Sequence, residues 1–341
     1  MQRHCVIGVD LGGTNVRARA YYDDGSPASG TVSNPSHGQS GVAAILNAAV
    51  STISQARDAA EGECAAVGLA VPGFANNDSG VVVWAPNLGE LVNGVFKYLD
   101  NVDFRTPLEK GTGLKVHMNN DANLAALGEY KFGSGRNSAS CLVMLTVGTG
   151  IGGGVVMSPN SVLGPAGGPL VLIGGNKGGA ELGHTVVLHN GVECNAGTYG
   201  SVESYCQRDS IIRRAGYRIA RKRPTLLNEM LGGDVSKLTP KHLSEAAAKG
   251  DEVALEVWEE VGTMLGVAIG SFINIFSPDV VAIGGQIAKA GEFLLAPARK
   301  TARNVAVPVL FADAKIVQAE QIDDAGLLGG AALALESLHW T

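Results

Sequence analysis

Three kinds of residue in this chain could do chemistry together: glycine turns that expose backbone amides, carboxylates near the ends of apolar runs, and amides able to bind hydroxyls. Asp10-Leu11-Gly12-Gly13-Thr14-Asn15 sets two glycines, a hydroxyl and an amide beside an acid. Thr146-Val147-Gly148-Thr149-Gly150-Ile151-Gly152-Gly153-Gly154 is a second, longer run of the same kind. A phosphate ligand needs backbone N–H groups at close range, and glycine lets the chain approach without a Cβ clash. A plain β-hairpin would use a single Gly-Gly turn equally well; two such turns, each with a threonine, favour phosphate. Asn119-Asn120-Asp121-Ala122-Asn123 follows a strand-like run and opens a helical one. Asp121 reads there either as a helix N-cap or as a base that takes the proton of a hydroxyl, flanked by amides that bind hydroxyls. Glu181-Leu182-Gly183-His184 and Glu203 are further acid–base groups, although each alone reads as a solvated or satisfied residue.

Gly148, Gly150 and Gly153 also match the dinucleotide pattern G-x-G-x-x-G. The strand-like Val155-Val156-Met157 follows where such a turn must open a helix, and no acid lies about 20 positions on, so that match is rejected. The chain has no P-loop pattern, so any ATP chemistry must use other phosphate turns.

The elements that must position these groups alternate. Strands are expected at Cys5–Leu11, Val16–Tyr22, near Thr31, at Ala65–Val71, Val81–Trp84, Lys115–Met118, Cys141–Val147, Gly154–Met157, Val280–Ile283 and Ala314–Gln318. Helices are expected at Gly41–Ala60, Thr106–Lys110, Ala122–Phe132 (capped by Asp121), Thr198–Ala220, Glu252–Phe276, Phe293–Arg303 and Leu327–Leu338. Ser158–Gly179 reads as a long Gly/Pro-rich loop. The order implies an α/β fold, and the two strand–glycine-turn–strand units near residues 5–22 and 141–157 hint at duplicated halves.

A chain of 341 residues with 45% hydrophobic and 17% charged residues has the length for two domains and the apolar content for large cores. Glycine, at 47 residues, is about twice its usual share, in clusters without a collagen-like period. A net charge of −6 argues against nucleic acid or an anionic membrane as the main partner. The five cysteines (Cys5, Cys64, Cys141, Cys194, Cys206) are scattered, with no Cys-x-x-Cys pair, which fits a reducing cytoplasm. No signal-peptide core is read at the N-terminus, and no window is read as approaching the ~20 apolar residues of a membrane span. A cytoplasmic protein is expected.

At this point the chain resembles the ROK family of sugar kinases and repressors, within the actin/hexokinase-like ATPase superfamily. The resemblance runs from Cys5 to about Leu335. It rests on Asp10-Leu11-Gly12-Gly13-Thr14, Val71-Pro72-Gly73, Ala85-Pro86-Asn87-Leu88, Asn120-Asp121-Ala122-Asn123, Thr146 to Gly154, Glu181-Leu182-Gly183-His184, Ile283-Gly284-Gly285 and Ala325-Gly326-Leu327-Leu328-Gly329-Gly330-Ala331. Each piece is weak alone; eight in family order are specific.

The resemblance implies a two-domain actin-like (ribonuclease H-like) fold with a cleft that closes on its ligands. Residues 1–120 would form a small α/β domain, with a C-terminal helix, 326–341, packed back on it, and 121–325 a large one. It implies ATP-dependent phosphorylation of a hexose at the 6-hydroxyl, glucose first, with N-acetylmannosamine, N-acetylglucosamine, fructose or allose as alternatives. Asp121 would be the base, and Gly73, Asn87, Asn120, Asp121, Glu181, His184 and Glu203 would contact the sugar. Asp10 would help hold Mg²⁺. Gly12, Gly13, Thr14 and Asn15, with Thr146, Gly148, Thr149 and Gly150, would cradle phosphates, and Gly284 and Gly285 would pass close to adenosine. A homodimer is implied, and the stripe Val257, Val261, Leu265, Ile269, Phe272 and Phe276 is a candidate face for it, though such a stripe is more often core. A repressor of the same family would need a DNA-binding module ahead of the first phosphate turn, and Asp10 leaves no room for one. A sugar-binding protein without catalysis is the third reading, against which Asp10, Asp121 and Glu203 are all retained.

The departure from the family pattern is local. The family's structural zinc site reads H-x₉-C-x-C-G-x-x-G-C-x-E; here His184 and Cys194 keep their places, and Ala196 and Ser201 stand at the second and third cysteine positions. Two ligands cannot make a tetrahedral site, so no zinc is expected, and His184 and Cys194 are remnants. His184 is then expected to be oriented by a hydrogen bond to a backbone carbonyl of the Cys194–Ser201 turn or to the Ser201 hydroxyl, unless Cys206 or His189 rebuilds a metal site.

Overall fold

The computed structural model describes residues 4–136, 139–161, 168–173 and 179–338. In chain order the elements are β1 (His4–Leu11), β2 (Asn15–Tyr21), β3 (Val32–Pro35), α1 (Val42–Asp58), β4 (Glu63–Val71), β5 (Phe74–Asn76), β6 (Val81–Val92), β7 (Val95–Asp103), α2 (Arg105–Thr112), β8 (Lys115–Asn120) and α3 (Asp121–Phe132). There follow β9 (Cys141–Val147), β10 (Ile151–Met157), β11 (Leu170–Val171), α4 (Val202–Cys206), α5 (Arg208–Ala220), α6 (Leu227–Met230), α7 (Pro240–Ala248) and α8 (Glu252–Phe276). The chain closes through β12 (Val280–Gly284), α9 (Glu292–Val305), α10 (Pro308–Asp313), β13 (Lys315–Gln318) and α11 (Ala325–Ser337).

Two five-stranded sheets repeat one order, β3-β2-β1-β4-β8 and β11-β10-β9-β12-β13. In the first, β3, β2 and β1 run antiparallel and β1, β4 and β8 parallel. In the second, β11 pairs antiparallel with β10, and β9, β12 and β13 run parallel. The matching order is the duplication hinted at by the two strand–glycine-turn–strand units. The chain divides into two compact units: Met1–Ser138 with Gly154–Ala180 and Asp324–Thr341, and Ala139–Gly153 with Glu181–Asp323.

In the first unit α1 packs on β2, and α11 packs on β1, β4 and α3. Gly8 and Gly68 face the main chain of α11 at Leu327 and Gly330, so closely that a Cβ at either would collide with backbone. A third sheet, β5-β6-β7, belongs to this unit and carries the rings of Phe74, Trp84 and Tyr98 in series, 5.8 and 5.9 Å apart. Only its first part, near Val81–Trp84, was expected.

In the second unit α8 is the spine. Asp251 accepts the Ala254 N–H to start it, and Ser277, in the left-handed region at φ 45°, ends it. Of its stripe, Val257, Val261, Leu265, Ile269 and Phe272 are at most 1% exposed, among α4, α5, α7 and α9, and Phe276 is half-buried at the helix end, so most of that face is core. α8 also corrects the membrane reading. Among the described residues it is the one helix long and apolar enough to cross a membrane by length and composition, and half of that window is buried in protein. The helix expected over Thr198–Ala220 is two, α4 and α5, because Gln207 adopts extended backbone between them and Ser201 starts the first. Part of the expected loop Ser158–Gly179, residues 162–167 and 174–178, lies outside the described residues; the remainder includes β11.

Candidate active site

In the first unit the parallel strands deliver the acidic and amide groups to one sheet edge. Asp10 is in register with Ala70, which is in register with Asn119, and Val71 is in register with Asn120. The carboxyl ends of parallel strands are where open α/β sheets bind ligands. Asp10 accepts from the Arg17 guanidinium at 2.7 Å and lies against the first turn of α11, where a Cβ on Gly326 would be 2.8 Å from its carboxyl carbon. The helix N-terminus favours an anion there. The turn Gly12-Gly13-Thr14-Asn15 is closed by the Gly12 N–H donating to the Asn15 carbonyl at 2.9 Å, and Gly13 abuts Asn87. Gly73, at φ 82°, packs its Cα onto the Trp84 carbonyl, a position no side chain would tolerate.

Asp121 is the first residue of α3 and is exposed. The expected cap is corrected here: Asn120, not Asp121, is the N-cap. Its side-chain oxygen accepts the N–H groups of Ala122 and Asn123 at 2.9 and 3.1 Å, and its Nδ2 donates to the Gly73 carbonyl at 2.8 Å. Either Asn or Asp can cap, and extended backbone at position 120 decided between them. The structure thus brings Asp10, Gly12, Gly13, Thr14, Asn15, Gly73, Asn87, Asn120 and Asp121 into one unit, six of them tied pairwise by the contacts just given.

The second unit holds two groupings. Thr146 is in register with Gly284, and Gly285 packs against the backbone of Val147, so the glycine turn after β9 and the one after β12 lie side by side. Next to them opens a cavity of about 540 Å³, lined by Gly148 and Thr149 together with Arg208, Lys241, Gln286 and Lys289. The backbone N–H of Arg208 donates to the Gly148 carbonyl at 2.9 Å. Arg208, Lys241 and Lys289, which pair with Asp209, Glu245 and Asp323 at 3.0, 3.8 and 2.6 Å, line it beside two backbone turns and the apolar Ile287 and Trp258. Arg208, Lys241 and Lys289 went unnoticed in the sequence because they come from three separate segments with no shared spacing.

The other grouping is Glu181, His184, Cys194 and Glu203. Glu203 is 7% exposed, and its Oε2 accepts the Ile151 N–H at 2.8 Å and would lie 2.9 Å from a Cβ at Gly150. His184 Nε2 is 3.7 Å from Glu181 Oε2, and His184 Nδ1 is 3.8 Å from Cys194 Sγ. Lost hydration raises the Glu181 carboxyl above the ordinary carboxylate value; His184 opposes the shift and Glu203 adds to it. Burial works against a Cys194 thiolate, but hydrogen bonds from the Thr198 hydroxyl, the Ala196 and Thr198 amides and the Ser201 hydroxyl outweigh it and bring the thiol down to about 7. The neighbour of His184 is therefore Cys194, not Ser201, whose hydroxyl starts α4 by accepting the Ser204 N–H at 3.3 Å. Cys206 does not join the set: it is fully buried and donates to the Val261 carbonyl.

Among the described residues, His184, Cys194 and Glu203 are the one cluster whose ligand atoms could gather on a metal ion, all within 4.8 Å of one another. A structural zinc site needs four ligands, almost always led by nitrogen and sulfur. Here Ala196 has no ligand atom, the Ser201 hydroxyl is engaged at α4, and the Glu203 carboxylate already serves Ile151. Two nitrogen and sulfur donors and one carboxylate are what the described residues offer a metal here, fewer than the four ligands of a closed structural zinc site.

The family model of the ROK family matches residues 6–337. The chain belongs to the ROK family. A glucokinase of Thermotoga maritima is 36% identical over 335 residues, 98% of both chains, and a glucokinase of Halalkalibacterium halodurans is 30% identical, covering 95% of this chain and 93% of that one. The crystal structure of a ROK family glucokinase from Streptomyces griseus, in complex with glucose and AMPPNP, superposes with a TM-score of 0.78 at 29% identity, covering 97% of this chain and 99% of that one. The mixed α/β architecture expected from the ROK resemblance is the one found.

Proposed function

We propose that this ROK protein is an ATP-dependent sugar kinase that phosphorylates glucose at the 6-hydroxyl. One observation carries the reading: Asp121 stands exposed at the carboxyl end of β8, at the start of a helix, on the edge that also bears Asp10, Gly73 and Asn120. A carboxylate so placed takes the proton of the acceptor hydroxyl. The hydroxyl oxygen forms the new bond to the γ-phosphorus, the bond from that phosphorus to the β,γ-bridging oxygen breaks, ADP leaves, and Asp121 returns its proton to water.

The family resemblance supports sugar contacts at Gly73, Asn87, Asn120, Glu181, His184 and Glu203. Phosphates are assigned to the backbone of Gly12, Gly13, Thr14 and Asn15 and of Thr146, Gly148, Thr149 and Gly150, and the adenosine to the neighbourhood of Gly284 and Gly285. The cations Arg208, Lys241 and Lys289 fit the charge of a nucleoside triphosphate. Mg²⁺, when bound with the nucleotide, would neutralise phosphate charge, and Asp10 is the carboxylate suited to its shell. Glucose is the first acceptor to test because both relatives named above are glucokinases. The reading sets the enzyme in the cytoplasm, as a homodimer, and without zinc.

A coupled ADP-release assay over glucose, fructose, allose, N-acetylmannosamine and N-acetylglucosamine tests the reaction. Glucose is expected to give the highest kcat/KM. Saturable sugar binding with no sugar-dependent ADP release would make the protein a binder instead. Elemental analysis should find less than one zinc per chain, with chelation harmful only through Mg²⁺; light scattering should give a dimer.

A further inference from the structure

β1 and β4 bring two cysteines together in the core of the first unit, and the proposed phosphoryl transfer uses neither. We infer that Cys5 and Cys64 form a modification site: a dithiol that a small peroxide converts, reversibly, into a disulfide joining β1 to β4. The inference does not depend on the sugar-kinase reading.

Cys5 and Cys64 are partners in the parallel register of β1 and β4, so their side chains leave the sheet on the same face. Neighbouring strands lie about 4.8 Å apart, within the span of about 4.4–6.8 Å between Cα atoms that a disulfide bridges. Cys5 and Ile7 are two residues apart, whereas their partners Cys64 and Val67 are three apart. The extra residue is a bulge, which bends a strand and re-aims the side chains beside it. The two Sγ atoms are 2.8 Å apart, and a small rotation about either Cα–Cβ bond brings them to bonding distance. The other sulfurs are engaged elsewhere: Cys194 with Thr198 and His184, and Cys206 with the Val261 carbonyl.

Proximity, not acidity, makes this pair reactive. Burial holds both thiols above the ordinary cysteine value, and the Arg57 guanidinium opposes the shift at Cys64. Cys64 is also the more open of the two, 7% exposed against 1%, so it is the sulfur that meets the oxidant. Its thiolate attacks one peroxide oxygen, the O–O bond breaks, and a first water leaves behind a sulfenic acid on Cys64. The Cys5 sulfur then attacks the Cys64 sulfur, the S–O bond breaks, and a second water leaves. Two electrons pass from the sulfurs to the peroxide, and the two waters carry off the thiol protons. Cys5 is already in place for the second step, which gives it the advantage of an intramolecular reaction. A dithiol reductant reverses the bond by exchange. The disulfide spans a sequence separation of 59 residues, enclosing β2, β3 and α1, so it restricts the unfolded chain and stabilises the folded one.

The test treats the full chain with hydrogen peroxide, blocks the remaining thiols with N-ethylmaleimide in denaturant, and maps the peptides by mass spectrometry. The peptides carrying Cys5 and Cys64 should be recovered joined, and dithiothreitol should return both as free thiols. The oxidised chain should melt about 3 °C or more above the same chain after reduction, and Cys64→Ala should show no such rise. Recovery of the two peptides unjoined, once Cys194 has been oxidised in the same sample, would overturn the inference and leave Cys5 and Cys64 as packing residues. So would a bond from either cysteine to a third one, or a peroxide product that dithiothreitol does not reverse. Equal melting temperatures for the joined and reduced chains would overturn the stapling effect. The peptide map needs only the wild-type chain, and Cys5→Ala serves as the melting control if Cys64→Ala fails to fold.

Discussion

Two sheets share a strand order, but the carboxylates of the candidate site are held by different means in the two units. At the edge of the first sheet, Asp10 is clasped by Arg17 and by a helix start, and Asp121 rides on a helix end tied down through Asn120. In the second unit, Glu203 is buried against the glycine turn after β9, and His184 sits between a carboxylate and a thiol. The first arrangement rests on regular secondary structure, so its geometry comes with the fold. The second rests on an irregular segment, Glu181 to Ser201, whose shape is set by a few side chains. A duplicated sheet plan thus carries a carboxylate mounted on a helix end in one unit and side chains held by an irregular segment in the other.

The sharpest way to break this comparison is at the base. Asp121→Asn keeps the size and the helix position and should lower kcat by about 10²–10⁴-fold, with the melting temperature nearly unchanged, measured by coupled assay and calorimetry. A loss of only a fewfold would move the chemistry elsewhere. Next in size is the cavity beside Gly148 and Thr149 in the second unit. Arg208→Ala removes one of three cations and should raise the ATP KM by about tenfold while leaving the sugar KM alone, since a hydrogen bond to a charged group is worth roughly 1.5–3 kcal/mol. An unchanged ATP KM would disconnect the cavity from the nucleotide.

The smallest expected effect is on pH. Burial holds the His117 ring, on β8, below its ordinary value, and Arg105 adds to the shift. Unfolding returns the ring to about 6.5, so the unfolded chain takes up the proton first as pH falls. Stability is therefore complete above about pH 6.5 and declines below it. Melting curves of His117→Phe should show a flatter acid limb than wild type, and identical limbs would assign the acid sensitivity to another group.

Most of the first unit's edge was legible because its signals are local. The Gly12–Asn15 turn, the strand before it and the helix after Asn120 are each written in a few adjacent residues. The spine α8 was legible in full because apolar residues recur at helical spacing between an Asp cap and Ser277. Its partners were not: the same stripe fits a core or an interface, and only the packing of α4, α5, α7 and α9 distinguishes them. The hairpin of β6 and β7 carried a plain signal, Asn93-Gly94, with both residues in the left-handed region, yet the apolar runs around it are short and irregular. α7 likewise carried Thr239 as cap and Pro240 in the first turn. The neighbourhood of His184 was hardest to read, because the contact to Cys194 depends on a turn stabilised by Thr198 and Ala196, and spacing alone says nothing about where such a turn points its sulfur.

The close seating of α11 on Gly8 and Gly68 bears on how the molecule is made. The first unit's central sheet is translated early, but the helix that covers it, α11, is translated only after the whole second unit. While the ribosome works through the second unit, an apolar sheet face stands waiting for Leu327, Leu328 and Ala331. Contacts of such long sequence separation form slowly, and an uncovered sheet invites aggregation. The second unit, contiguous apart from its first strand–turn segment, can complete itself before the first does. Nascent chains stopped short of residue 325 should therefore depend on chaperones to hold the half-built first unit, and chains extended through α11 should lose that dependence as the helix docks.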